Sequence, residues 1–246
     1  MRDASVRVTG VSYAYVAGHD VLRGVDIELA PGERVALVGV SGAGKTTLAK
    51  LIAGIHDASA GEVVLGGARI AALGAATVRR TVGLVTQEVH AFAGTLADDL
   101  RLARPGATDD ELESALELVR ALDWARGLPD GLNTTIGSGG HRIDPAQAQQ
   151  LALARLVLAD PPIAVLDEAT AEAGSAGART LEVSAARALE GRTALVVAHR
   201  LTQARQADRI VVLDAGRVRE TGTHDELVRA DGAYGQMWAA WTGSRE

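Results

Sequence analysis

An α/β fold with a mostly parallel central sheet, an antiparallel β layer at its N-terminal side and an inserted helical subdomain is what this sequence predicts, on three observations. Short apolar runs at Ile163–Leu166, Ala194–Val197 and Ile210–Leu213 are separated by helical stretches, the pattern of strands buried on both faces. A glycine-rich turn joins the apolar run Val35–Val38 to a stretch with helical spacing from Thr46 to Ile55. Residues Ser5 to Leu29 alternate apolar and polar positions, interrupted by Gly18 and Gly24, which is the period of short antiparallel strands.

Along the chain, 5–29 therefore opens the β layer, 35–38 is the first buried strand, and 46–55 is the helix that follows the turn. Farther on, Thr108 begins a Thr-Asp-Asp-Glu capping box closed by Glu111, and Leu112, Leu116, Val119 and Leu122 keep one face apolar. We expect a helical subdomain over 87–160, with 1–86 and 161–246 supplying the β layer and core, all of it one domain. A chain of 246 residues that is 47% hydrophobic can bury a core of that size. Its net charge of −6 argues against a nucleic-acid surface, which shows as a basic patch. Cysteine is absent, so disulfide and thiol chemistry drop out. No apolar run reaches the ~18 residues of a membrane span, and the start lacks a signal-peptide pattern, so a membrane is to be reached through a partner or a missing segment.

The strongest chemical signal is Gly-Val-Ser-Gly-Ala-Gly-Lys-Thr-Thr, residues 39–47. It fits the phosphate-binding P-loop pattern and stands where that chemistry needs it, after a strand and at the start of a helix. Gly39, Gly42 and Gly44 let the backbone wrap phosphates, and Ser41, Ala43 and Thr47 add main-chain N–H groups at the positive end of a helix dipole. Lys45 can reach the β- and γ-phosphates of ATP, and the Thr46 hydroxyl can hold Mg²⁺. The plain alternative, a glycine-rich turn that matches by chance, fits the strand-to-helix setting less well.

A second signal is Ile-Ala-Val-Leu-Asp-Glu-Ala-Thr, residues 163–170, an apolar strand that delivers two carboxylates at its C-terminal end, where α/β sheets bind ligands. Asp167 would complete the Mg²⁺ shell and Glu168 would act as general base on the attacking water. A lone Asp-Glu pair after a strand usually just enters a polar loop; beside a P-loop the functional reading is the better one.

Over essentially its whole length the chain resembles the nucleotide-binding domains of ABC transporters, most closely those of exporters. The resemblance implies a P-loop NTPase core with ATP and Mg²⁺ as ligands, a second nucleotide-binding domain and transmembrane domains, fused or separate, as partners, and a place on the cytoplasmic side of the cell membrane. It also implies site residues. In Val-Ser-Tyr-Ala-Tyr, residues 11–15, Tyr15 is the better candidate for the aromatic that stacks on adenine; the competing reading packs Tyr13 and Tyr15 together on one strand face. Gln87 matches the glutamine that senses Mg²⁺ and the γ-phosphate and relays to the membrane domain. His199, in Val-Val-Ala-His-Arg-Leu, matches the switch histidine on the γ-phosphate. Thr134–Gly140 resembles an exporter-specific loop, with Ser138 in place of its usual second glutamate.

Two departures matter more than the matches. Where the family carries its Leu-Ser-Gly-Gly-Gln signature, this chain has Ile143, Asp144, Pro145, Ala146 and Gln147. In the family this helix N-terminus grips the γ-phosphate of ATP held by the opposite subunit. Asp144 is a good N-cap and Pro145 a good first helical residue, so the helix should start well. Its phosphate chemistry should not: proline has no N–H, Ala146 adds a Cβ, and an ionised Asp144 at ~4 Å and an effective dielectric near 20 repels each unit of phosphate charge by about 4 kcal/mol before screening. In the D-loop the family's aspartate is missing from Ala171, Glu172, Ala173 and Gly174. What is lost serves the partner's site; what is kept serves this chain's own ATP. The expected assembly is a heterodimer with one hydrolytic site and one degenerate site, its partner carrying an intact signature.

Three other readings compete. An ABC ATPase of DNA repair would split the domain with a long coiled coil, but only about 56 positions separate Gln87 from Ile143. An importer's separate ATPase subunit would explain the missing membrane segment, against which stands the exporter-like loop at 134–140. A regulatory nucleotide-binding module that hydrolyses little would have no need of Glu168 and His199.

Overall fold

The computed structural model describes residues 3–167, 175–198 and 200–243. In chain order the strands are β1 (Val6–Ala14), β2 (Asp20–Leu29), β3 (Arg34–Val38), β4 (Ala60–Leu65), β5 (Ala68–Arg69), β6 (Val82–Val85), β7 (Gly94–Thr95), β8 (Thr135–Ile136), β9 (Ile163–Asp167), β10 (Thr193–Val197), β11 (Arg209–Asp214) and β12 (Arg217–Gly222). The helices are α1 (Lys45–Ile52), α2 (Ala75–Thr81), α3 (Leu96–Arg101), α4 (Asp109–Leu118), α5 (Leu122–Arg126), α6 (Pro145–Ala159), α7 (Ser175–Ala188), α8 (Leu201–Ala204), α9 (His224–Arg229) and α10 (Ala233–Gly243). They divide into two compact units, one made of the described residues within 1–82, 162–167 and 191–246, the other of those within 83–161 and 168–190.

In the first unit the alternating N-terminal stretch forms an antiparallel sheet of order β2-β1-β4-β5. Val6 and Val8 of β1 are buried while Arg7 and Thr9 are exposed, so the period-2 pattern sorts one face inward, and a register shift between Val8 and Val11 lets Val11 face inward too. In the larger sheet β12, β11, β3, β10 and β9 run side by side, all parallel except the β12 edge hairpin. The parallel strands are buried on both faces, which is why each reads as an unbroken apolar run. Val197 of β10 is level with Leu37 of β3 on one side and Asp167 of β9 on the other. That register brings the turn after Val38 and the Asp167 carboxylate to the same carboxyl edge of the sheet, where α/β sheets present their sites.

The helix after the turn is shorter than the 46–55 spacing predicts. α1 ends at Ile52 because Gly54 adopts φ +68° and closes a Schellman cap, Ile55 N–H donating to Lys50 O at 2.9 Å and Gly54 N–H to Leu51 O at 3.1 Å. Ile55 is left exposed.

In the second unit the Thr108 box forms on both sides: the Thr108 hydroxyl accepts from Glu111 N–H and the Glu111 carboxylate accepts from Thr108 N–H at 2.8 Å. Leu112, Leu116 and Val119 are fully buried, but α4 stops at Leu118 and Leu122, only partly buried, opens α5. The carbonyls left over at the end of α4 are met from elsewhere. Val119 O accepts from Ser184 Oγ at 2.6 Å and Gln150 Nε2 at 3.0 Å, and Arg120 O accepts from Gln150 Nε2 at 2.8 Å. Because the α4 cap is exposed and self-contained, Thr108→Ala should lower stability by about 1 kcal/mol without touching nucleotide binding. Urea unfolding followed by circular dichroism, beside an ATP-binding titration, checks both halves of that expectation.

Candidate functional site

Between β3 and α1 the chain turns through a loop in which two glycines have no room for a side chain. Gly39 has φ +152°, and a Cβ placed there would lie 2.1 Å from the main-chain oxygen of Leu213 on the neighbouring strand. Gly44, at φ +102°, caps α1, and its Cβ would press on Leu22 Cδ2 at 2.7 Å. The turn so formed folds back over Lys45, whose side chain is largely buried and whose Nζ donates to Gly39 O at 2.8 Å and Val40 O at 3.0 Å. A buried ammonium held by loop carbonyls is fixed in place at the positive end of a helix, poised for an anion.

Thr46 and Asp167 come together at the sheet edge. The Thr46 hydroxyl donates to Asp167 Oδ1 at 3.1 Å, and Asp167 is buried at the end of β9. A hydroxyl and a carboxylate in contact are hard oxygen ligands of the kind Mg²⁺ takes with nucleotide phosphates, so this donor set fits the ion. Tyr15, 54% exposed as a residue, stands just past the end of β1, and its hydroxyl lies 3.2 Å from Thr47 Oγ1. Tyr13 meets Tyr15 edge-on at 5.0 Å and stacks on His56 at 5.3 Å, and His56 in turn meets Tyr15 edge-on at 5.6 Å. Tyr13 is thus the packed ring of the pair and Tyr15 the presented one. Nothing in the local sequence marks His56 as its neighbour.

Gln87 is exposed in the second unit, within a segment, 86–93, that is neither helix nor strand. Glu168, His199 and the loop 171–174 lie outside the described residues.

In the second unit α6 begins at Pro145 with Asp144 as its N-cap, as the residue types imply. The structure adds a reciprocal pair absent from the reading of the residues: Asp144 Oδ1 accepts from Gln147 N–H at 2.8 Å and Gln147 Oε1 accepts from Asp144 N–H at 3.0 Å. The helix therefore carries its own anion where an external one would bind. Pro145 has no N–H, and the Gln147 N–H is already engaged. Ala146 is partly buried, its methyl packed against Ala178 and Leu181 of α7.

Comparison with known proteins places this arrangement in context. The family model described as ABC transporter matches residues 22–171. The chain is 40% identical over 228 residues to an ATP-dependent lipid A-core flippase of Chromobacterium violaceum, covering 92% of this chain and 39% of that protein. It is also 40% identical over 243 residues to the mycobactin import ATP-binding/permease protein IrtA of Mycolicibacterium smegmatis, covering 99% of this chain and 28% of that one. Among solved structures, a bacterial Atm1-family ABC exporter with ATP bound superposes with a TM-score of 0.91 at 33% identity, over 98% of this chain and 42% of the other. The chain spans well under half the length of the relatives it matches.

Proposed function

The chain belongs to the ABC transporter family, and from that premise we propose that it is a single nucleotide-binding domain, the ATP-hydrolysing motor of an exporter, and one half of a heterodimer. The observation that carries the motor reading is the sheet edge itself: a buried Lys45 under a glycine turn, with the Thr46 hydroxyl against the Asp167 carboxylate 3.1 Å away. In this reading the loop N–H groups and Lys45 hold the β- and γ-phosphates of ATP, and Tyr15 offers its exposed face to adenine. Thr46, Asp167 and Gln87 would hold Mg²⁺, which when bound neutralises phosphate charge. Glu168 orients the attacking water and accepts its proton, and His199 contacts the γ-phosphate. Closure of two such domains on ATP would drive transmembrane domains, and hydrolysis would reset them, which sets the protein to work at the cytoplasmic face of the cell membrane.

The heterodimer is supported by the start of α6. An N-terminus whose first residue lacks an N–H and whose cap is a carboxylate is poorly made to grip a partner's γ-phosphate. Lys45, Thr46 and Asp167, which serve the chain's own nucleotide, are all present. The hydrolytic site would combine this chain's P-loop with a partner's intact signature, leaving the opposite site to bind ATP and turn it over slowly.

The adenine assignment has a direct test. Base stacking on an aromatic face is worth about 1–3 kcal/mol, so Tyr15→Ala should weaken ATP binding roughly 5- to 150-fold, with Tyr15→Phe close to wild type. Equilibrium titration with a fluorescent ATP analogue measures this, and an unchanged Kd in Tyr15→Ala would remove Tyr15 from the site.

A further inference from the structure

The segment 86–93, which carries Gln87, lies outside helix and strand, so its main chain has no ladder to hold it. It is held instead by side chains reaching across from α6 and α3. Gln149 Nε2 donates to Gln87 O at 2.7 Å and to Thr86 O at 3.4 Å. Six residues on, the Arg155 guanidinium donates to His90 O through Nη1 at 3.4 Å and Nη2 at 3.3 Å, with its centre 5.7 Å from the Phe92 ring. Asp99 of α3 completes the clamp: its Oδ1 lies 3.3 Å from Arg155 Nη1 and accepts from Phe92 N–H at 2.9 Å.

These groups are costly to bury unless they are doing this. Gln149 is 4% exposed and Asp99 2%. Asp99 Oδ2 and Gln149 Oε1 have no hydrogen-bond partner among the described residues, so each side chain is committed through one end only, the end that faces the loop or its clamp. Burial pushes the Asp99 carboxyl up, with the Phe92 N–H and Arg155 pulling it back. A purely structural core would be served better by apolar side chains of similar volume.

We propose that Gln149 and Arg155 are positioning residues that clamp the loop carrying Gln87 to α6, so that the placement of Gln87 is set by the same helix that opens at the altered 144–146 segment. The proposal rests on the reading of Gln87 as a nucleotide-sensing residue. Both side chains act on the main chain of the loop.

Hydrogen-exchange mass spectrometry on the whole chain tests the clamp apart from any activity. Gln149→Glu keeps the shape and removes both donors, Gln149→Met removes donors and the orphaned acceptor together, and Arg155→Lys keeps the charge with fewer donors. Exchange in 86–92 should accelerate at least tenfold in the two Gln149 variants and less in Arg155→Lys, while α4 keeps its protection. ATP turnover, measured with a copy of the chain that bears a restored signature and Lys45→Ala and so hydrolyses nothing on its own P-loop, should show kcat down at least tenfold at unchanged KM, with Arg155→Lys recovering part of what Arg155→Ala loses. Unchanged exchange in 86–92, or exchange raised equally in α4, would overturn the clamp. Faster exchange with unaltered kcat would overturn its role in positioning Gln87. Absence of turnover in the unmutated pair would count against the functional reading and leave the exchange result to decide the clamp.

Discussion

Gly39→Ala should cost this protein about 3 kcal/mol of stability and nearly all of its affinity for ATP. The added methyl would sit 2.1 Å from Leu213 O, a main-chain atom of β11 inside the parallel sheet, so relief requires a strand or the loop to move. Overpacking of that kind costs roughly 1–3 kcal/mol, and the φ of +152° adds about 1–3 kcal/mol of backbone strain for any residue with a Cβ. The cheaper escape is for the loop to open, which removes the Gly39 and Val40 carbonyls from Lys45 and scatters the N–H groups meant for phosphate. Gly42 makes the control: it too has positive φ, at +79°, but a Cβ there meets nothing within 4 Å. Gly42→Ala should therefore lose only the strain in stability, about 1–2 kcal/mol. Thermal melting should fall by roughly 6–12 °C for Gly39→Ala, on the usual scaling for a chain of this size. An ATP titration of Gly39→Ala checks the loss of affinity, and an equal fall in melting temperature for the two variants would mean that the contact with Leu213 does not shape the loop.

The second large effect is a gain. Restoring the α6 start with Asp144→Ser, Pro145→Gly and Ala146→Gly should raise ATP turnover of the chain alone by at least tenfold. Serine keeps an N-cap acceptor for Gln147 N–H but brings no charge, and glycine at 145 returns a donor where proline has none. Removing a carboxylate from near a phosphate relieves repulsion on the order of 4 kcal/mol per charge pair before screening, far above the cost of the repair. That cost is real: glycine in place of Ala146 gives up about 1 kcal/mol of helix propensity and a methyl packed on Ala178 and Leu181. The gain should therefore survive reverting position 146 to alanine and vanish on reverting position 144 to aspartate. Steady-state phosphate release from the three variants at one protein concentration reads this directly.

Much of the fold could be read from local pattern. The buried strands at 163–167, 193–197 and 209–214 sit within a residue or two of their apolar runs, because a strand covered on both faces leaves little choice of residue type. The Thr108 box and the Asp144-Pro145 start were legible for a similar reason, since capping is settled within four residues. The end of α1 was not, because apolar spacing runs on past Gly54 while the Schellman cap stops the helix. The packing of the Ala146 methyl depends on Ala178 and Leu181, more than thirty positions away, and no local pattern carries it. The same holds for the candidate site. Lys45, Thr46 and Asp167 lie in recognisable motifs, whereas His56 beside Tyr15, and Gln149 and Arg155 on the Gln87 loop, are partners across long stretches of chain.

The central claim is a division of labour: this chain keeps the machinery for its own ATP and lacks what a partner must lend. It is tested most directly by mixing two inactive proteins, the wild-type chain and a copy that carries the three signature repairs together with Lys45→Ala. Each alone lacks one half of a hydrolytic site, and the mixture should hydrolyse ATP with a rate that rises as the product of the two concentrations until association saturates. Robust turnover by the wild-type chain alone, or a silent mixture when the repaired chain with Lys45 intact is active, would contradict it.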